Sequence, residues 1–463
     1  MAHYPSQSLT MWRSRLSPVA VLRQARSWLT DASDDSTTQR VAGTAFLIRV
    51  ASAALVYLTQ VVLARWMGSF EFGIYVYVWT WVLLIGGLVD FGLASSAQRF
   101  IPEYAELKLF SLLRGFLAAS RWLTVATATA AAALAALGIW LAGDWINHYE
   151  IIPLYLACLC LPFFALSHMQ EGIARSYNWI GMALSPQYII RPALIIVLML
   201  GAHQAGFASD ARTALASVVI ATWFTAIVQQ FVMNRRLARK VEPGPKAYAV
   251  STWFATAIPI FMVEGFYQLL TYTDVLMLQQ FRPPDETATY YAAAKTLALV
   301  AFVYYSVSHA TAHRFTQYYV TGDRERLSAF LSESIRWTFW PSLAATVLIL
   351  LLGRPILRLF GPQFVAGYPL MFILSLGLLA RAAVGPVERL LNMVGQQRIC
   401  ALVYAAAFAF NVVACIVLIP PFGIEGAAIA TAAGVVTESV LLFVVTKRRL
   451  GLHVFIWRRA RAR

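Results

Sequence analysis

Seven polar or charged side chains stand inside long apolar runs: Arg49, Arg191, Glu264, Gln268, Asp274, Lys295 and Arg381. Ionisable residues in such runs are costly and mark functional positions by default. Arg49 shares one helical stripe with Ser52, Thr59 and Gln60. Glu264, Tyr267, Gln268, Thr271 and Asp274 form another. The four cations could hold an anion. Glu264 and Asp274 could carry a proton, or serve as counter-ions for Arg49 or Lys295. Arg381 and Glu388 lie seven residues apart, which on an unbroken helix puts them on one face as a packing pair.

Other chemical signals are thin. Asp90-Phe91-Gly92 matches a kinase triplet, but no glycine-rich loop or His-Arg-Asp string accompanies it. His309 and His313 have zinc-ligand spacing, yet Ala310 stands where a zinc protease has its glutamate. No phosphate-binding loop is present, so the chain is not read as driven by its own bound ATP. Cys158, Cys160, Cys400 and Cys415 lie in or beside apolar stretches and read as small apolar side chains. No metal or cofactor is expected, and the chain does not read as an enzyme.

The elements that must position these residues follow from composition. Hydrophobic residues make up 59% and charged residues 13%, and mean hydropathy is +0.64. A soluble domain carries about a quarter charged residues. So much apolar surface suits lipid, and helices satisfy their own backbone there. An all-α integral membrane protein is expected. Apolar runs lie near 42–66, 74–98, 115–142, 151–171, 179–202, 213–234, 250–281, 287–313, 334–353, 366–392, 399–420 and 424–446. Each is long enough for one span, which predicts about twelve. Pro186, Pro192, Pro259 and Pro386 fall inside runs and are expected to kink them.

The net charge of +15 sits between the runs, which argues against nucleic acid. With the N-terminus inside, about 27 of the 37 Lys and Arg are cytosolic and about five are external. Both termini are therefore expected in the cytosol. No cleavable signal peptide is visible, and Trp12, Leu16, Val19 and Trp28 could lay a short helix on the inner leaflet.

The chain reads as a basic tail (1–40), a six-helix half (41–236), a linker (237–249), a second six-helix half (250–447) and a basic tail (448–463). The halves look duplicated. At an offset of 215, Tyr57, Leu63 and Tyr75 meet Tyr272, Leu278 and Tyr290, and Arg99-Phe100 with Tyr104 meets Arg314-Phe315 with Tyr319. Glu264 is the counterpart of Arg49, so the two polar stripes are expected to face each other across a cavity. Six spans per repeat preserve orientation, which gives a parallel repeat able to rock about that cavity.

Several strings carry a resemblance. They include LARWMGSFEFGIYVYVW from Leu63, DFGLASSAQRFIPEY from Asp90, TDVLMLQQF from Thr273 and ATYYAAAKTLALV from Ala288. GDRERL from Gly322, FGPQFVAGYPLM from Phe360 and LIPPFGIEGAAIATAAGVVTESV from Leu418 follow. In this order, over nearly the whole chain from about residue 40, the sequence resembles the polysaccharide-exporter branch of the multidrug, oligosaccharidyl-lipid and polysaccharide exporter superfamily. The resemblance implies two six-helix bundles in a V around a central cavity, working by alternating access. It implies flipping of an undecaprenyl-pyrophosphate-linked oligosaccharide to the outer leaflet of a bacterial inner membrane, for O-antigen or exopolysaccharide synthesis. Glycan polymerases and glycosyltransferases of the pathway would be partners. Cavity cations would meet the pyrophosphate, with Arg49 and Lys295 first and Arg191, Arg381 and Gln268 beside them. Related lipid II flippases usually have fourteen spans, so twelve favours the polysaccharide branch.

Three other readings compete. A multidrug cation antiporter of the same superfamily shares the plan, but the first span carries Arg49 rather than a clear acid. A membrane glycan polymerase or ligase would need a sizeable external loop, and the loops here are short. In a purely scaffolding role, the in-span charges would serve packing only.

Overall fold

The computed structural model describes the backbone of residues 34–457, and side chains from residue 51 onward except those of His309, Ala312 and His313. The Trp12–Trp28 face, the Arg49 side chain and the His309/His313 pair expected from sequence therefore lie outside the described residues. Contacts divide the chain into residues 1–54 and residues 55–463. The described part of the first unit is the opening stretch of helix α1.

The described residues form helices joined by short turns, with no strand among them. They are α1 (Asp34–Leu88), α2 (Leu93–Glu106), α3 (Phe110–Leu141), α4 (His148–Ser176), α5 (Ile180–Gln204), α6 (Ala211–Ala238) and α7 (Val250–Phe281). Then come α8 (Pro284–Ala298), α9 (Ala301–Val320), α10 (Arg324–Phe360), α11 (Tyr368–Val384), α12 (Val387–Met393) and α13 (Gln397–Leu450).

Among the described residues nine helical stretches are long and apolar enough to cross a membrane. A tenth is α8 with the start of α9, bent by 42° at their junction. Two of the ten, Ala51–Glu106 and Gln397–Leu450, run to 56 and 54 residues. At about 1.5 Å per residue, each is far too long for one crossing of about 30 Å. Each is broken at a glycine outside helical geometry, Gly68 (φ 78°, ψ 176°) and Gly423 (φ 57°, ψ −130°). Counting each as two spans gives twelve, as the apolar runs predict.

The prolines act in different ways. Pro186 opens a π-helical turn, Pro186–Ile190, inside α5, and Pro192 follows it in the first turn of the resumed α-helix. Pro259 lies within the continuous α7. The expected tenth span, 366–392, is not one helix. Gly385 takes φ 72° and Pro386 follows, so α11 stops at Val384 and α12 begins afresh. This overturns the expected pairing of Arg381 with Glu388. Seven residues share a face only on an unbroken helix, and the break re-aims Glu388.

Helices α2 to α6 pack chiefly on one another, with α4 against α2, α3 and α6. Helices α7 to α13 do the same, with α13 against α7 and α11. Chain alternation puts the basic turns at one end, here the basic end. At the opposite end Phe72 packs against Tyr291, Phe360 and Phe364, and Arg65 donates to the Leu359 carbonyl at 2.7 Å. Gly73 approaches Pro284 so closely that a Cβ would lie 1.9 Å from its carbonyl oxygen. At the basic end Trp253 donates to Tyr104 at 2.9 Å, and Arg114 donates to the Pro245 carbonyl at 2.9 Å.

Candidate functional site

Helix α7 carries the polar stripe. Glu264 and Thr271 are exposed, with Tyr267 and Gln268 half-buried between them, while Ile258 and Met262 are exposed on the opposite side. A polar face and an apolar face, both uncovered in mid-span, cannot both meet lipid at tolerable cost. The apolar side suits lipid, and the polar side suits a hydrated space inside the bundle. Gln268 donates to the Gly87 carbonyl on α1 at 3.3 Å. Ser95 on α2 donates to Glu264, 2.8 and 3.0 Å from its two oxygens. The stripe thus looks onto the helices of the first half.

Asp274 leaves the stripe, contrary to the sequence grouping. It is buried, accepts from Tyr290 at 2.5 Å and Thr431 at 3.2 Å, and takes its neighbour's amide, Val275, at 2.8 Å. Ten residues from Glu264 is not a whole number of helical turns, so Asp274 points into α8 and α13 instead.

The cations differ in their surroundings. Lys295, half-buried at the end of α8, stands 5.0 Å from the Tyr291 ring centroid. No described carboxylate forms an ion pair with it. Arg191 is buried between Trp79 and Phe164, 5.2 and 5.1 Å from their centroids, again without an ion pair among the described residues. The buried Gln60 and Gln187 each leave a polar atom without a partner. Arg381 is taken: it pairs with Glu438 of α13 at 2.5 Å and stacks on Tyr267. Glu388 accepts from Asn392 at 3.2 Å.

The structure therefore brings together Glu264, Gln268 and Tyr267, with Tyr305 of α9 bonded to Tyr267 through their hydroxyls. Sequence reasoning missed Glu438 and a contact between His168 and Asp90 of 3.3 Å. The signal for His168 was its place inside an apolar run. Among the described residues no group of three His, Cys, Asp or Glu could hold a metal ion.

The sequence model of the family described as polysaccharide biosynthesis protein matches residues 41–317. The chain belongs to that family. A second family model, MatE, matches residues 259–417. An uncharacterized membrane protein of Methanocaldococcus jannaschii is 21% identical over 402 residues, covering 83% of this chain and 78% of that protein. Among solved structures, the lipid II flippase MurJ in an inward closed conformation is similar with TM-score 0.69 and 16% identity, over 87% of each chain. An inward-facing multidrug resistance transporter of the MATE family is similar with TM-score 0.68 and 13% identity, over 88% of this chain and 98% of that one. A transporter of the same superfamily from Pyrococcus furiosus gives TM-score 0.64 at 13% identity, over 88% and 94%. At these identities the structures establish the fold. With the family match, they make this chain a multi-pass membrane protein of the polysaccharide-biosynthesis family with the fold shared by those structures. The matched structures named for an activity are transporters or flippases rather than enzymes.

Proposed function

We propose that this protein flips an undecaprenyl-pyrophosphate-linked oligosaccharide across a bacterial inner membrane, for O-antigen or exopolysaccharide synthesis. The observation that carries the reading is Lys295, a mid-span cation without an ion pair among the described residues. An ammonium without a contacting carboxylate in a low-dielectric site favours an anionic guest, and a prenyl pyrophosphate brings one. Arg191, also without an ion pair among the described residues, and Arg49 are further cationic contacts in this reading. Gln268, Tyr267 and Thr271 offer hydrogen bonds to sugar hydroxyls. Arg381, already paired, positions Tyr267.

The orientation is N-terminus and C-terminus in the cytosol, because the basic turns gather at that end. Residues 41–236 and 250–447 are the two moving halves, joined by 237–249, and the head group passes between them while the prenyl tail stays in lipid. Glu264 and Asp274 are the ion-coupling or counter-ion groups. Pathway glycosyltransferases would deliver the substrate, and a glycan polymerase would receive it.

A second reading, multidrug cation antiport, draws on the MatE match over residues 259–417 and on the exposed carboxylate of Glu264. Reconstituted liposomes separate the two. The flippase reading expects transfer of a fluorescent prenyl-pyrophosphate glycan, with Lys295→Ala reducing it at least tenfold and Lys295→Arg keeping part of it. Organic-cation export without lipid transfer would replace it with the second reading.

A further inference from the structure

Asp90 lies within the turn (89–92) between α1 and α2 and is 2% exposed. One oxygen accepts the Gly92 N–H at 3.1 Å and the other accepts the Ala94 N–H at 3.2 Å, so Asp90 closes the start of α2. From α4, His168 brings Nδ1 to 3.3 Å from the Asp90 carboxylate. That nitrogen makes no well-directed hydrogen bond. The tie therefore rests chiefly on charge, and it is strongest while the imidazole carries a proton.

On its other side the same turn meets α7. Gly92 takes φ +79°, and a Cβ there would stand 2.7 Å from the Ala257 carbonyl oxygen. Ser95, still in the first turn of α2, binds Glu264. One helical turn is thus fastened to α4 through Asp90 and to α7 through Ser95.

The surrounding charges leave His168 alone as the cation of this turn. His168 feels Asp90, Glu264 and, on its own helix, Glu171. Glu171 is already ion-paired with Arg175 and has Tyr188 of α5 beside it. Glu264 feels Asp90, His168 and Glu388 of α12, and Glu388 has Arg389 next to it. Helix α3 reaches the turn through the uncharged Thr127, which donates to the Val89 carbonyl at 2.6 Å. Its Arg121 is bound by Asn234 of α6 at 2.6 Å. Helix α6 meets α4 near His168 through the uncharged Gln230, bonded to Gln170.

We propose that His168 and Asp90 form a proton site whose occupancy sets whether α2 stays joined to α7 at the basic end. With the proton present, the imidazolium offsets Asp90 and Glu264 together. Without it, the two carboxylates and Glu388 surround the turn with no cation of its own, and their repulsion loosens Ser95 from Glu264. In the proposed orientation, release of the proton to the cytosol opens this end to substrate, and reloading closes it. This last step rests on the transport reading, whereas the joint itself needs no substrate.

Double electron–electron resonance on the full chain in lipid nanodiscs tests it. Spin labels go on Arg99→Cys of α2 and Thr252→Cys of α7, both exposed positions, while the four native cysteines are buried. The ratio of separated to joined forms is expected to rise with pH, approaching tenfold per pH unit, the limit for one proton. His168→Gln should be separated at every pH, His168→Arg joined at every pH, and Glu264→Gln joined because one repelling charge is gone. A wild-type distance that stays constant between about pH 5 and 11 overturns the site. So does a His168→Gln protein that keeps the wild-type response. No lipid-linked glycan is present in this measurement, so its failure leaves the flippase reading standing. Failed flipping with an intact distance change would sink that reading alone.

Discussion

Arg381 of α11 and Glu438 of α13 meet at 2.5 Å, although Glu388 lies far nearer to Arg381 in sequence. Glu438 is almost wholly enclosed and Arg381 is half-buried. Removing one partner leaves a buried charge without its counter-ion, which costs about 3–5 kcal/mol. Arg381→Ala and Glu438→Ala should each lower the thermal midpoint in detergent markedly. A double change to Met at both positions should recover most of the loss. If Arg381→Ala stays fully stable and only weakens substrate binding, Arg381 is a substrate contact rather than a positioning pair.

Lys295 should behave in the opposite way. It breaks no described ion pair when replaced, so Lys295→Ala should change stability by no more than about 0.5 kcal/mol while transfer of the pyrophosphate lipid falls. Denaturation midpoints run beside the flipping assay would expose a purely structural role as a joint loss of both.

Asp274 accepts three hydrogen bonds inside the second half. Asp274→Ala takes the acceptor from the Tyr290 and Thr431 hydroxyls, which keep only their mutual bond of 3.0 Å, at about 1–3 kcal/mol for a group left unsatisfied. Asp274→Asn keeps an acceptor and should lose less. If transport proves ion-coupled and Asp274→Asn uncouples it at unchanged stability, the residue belongs to coupling. Equal losses of stability and transport would make it a packing group.

The close approach of Gly73 to Pro284 leaves no room for a side chain, since a Cβ would sit 1.9 Å from a carbonyl oxygen. Gly73→Ala must push α1 and α8 apart, at about 1–3 kcal/mol. Faster proteolysis or cross-linking changes at the turn before Pro284 would report it, and an unchanged pattern would deny the contact.

Cys158, Cys160, Cys400 and Cys415 are all buried and free. Thiols without access react slowly. A water-soluble maleimide should modify none of them within the time that labels an introduced exposed cysteine, and all four after denaturation. Rapid labelling of Cys158 in the native state would reveal a water path through the first half.

The helical class and the twelve crossings were legible in the residues themselves. An apolar run in lipid has one way to satisfy its backbone, and that choice is made locally, within each run. Glycines and prolines also acted locally, and they corrected the tenth span: Gly385 and Pro386 end α11 where hydropathy runs on. The polar positions Glu264, Gln268, Asp274, Lys295 and Arg381 were legible too, because a polar group in an apolar run stands out wherever it points.

Their partners were not legible. Glu438 is 57 residues from Arg381, and Glu264 is 169 residues from Ser95. Asp274, grouped with Glu264 by spacing, turns instead to Tyr290 and Thr431. Hydropathy places a residue along its helix but does not set how that helix is rotated or which neighbour it meets. Those are decided by the packing of many side chains at once, and a short-range contact of about 3 Å exists only after that packing is complete.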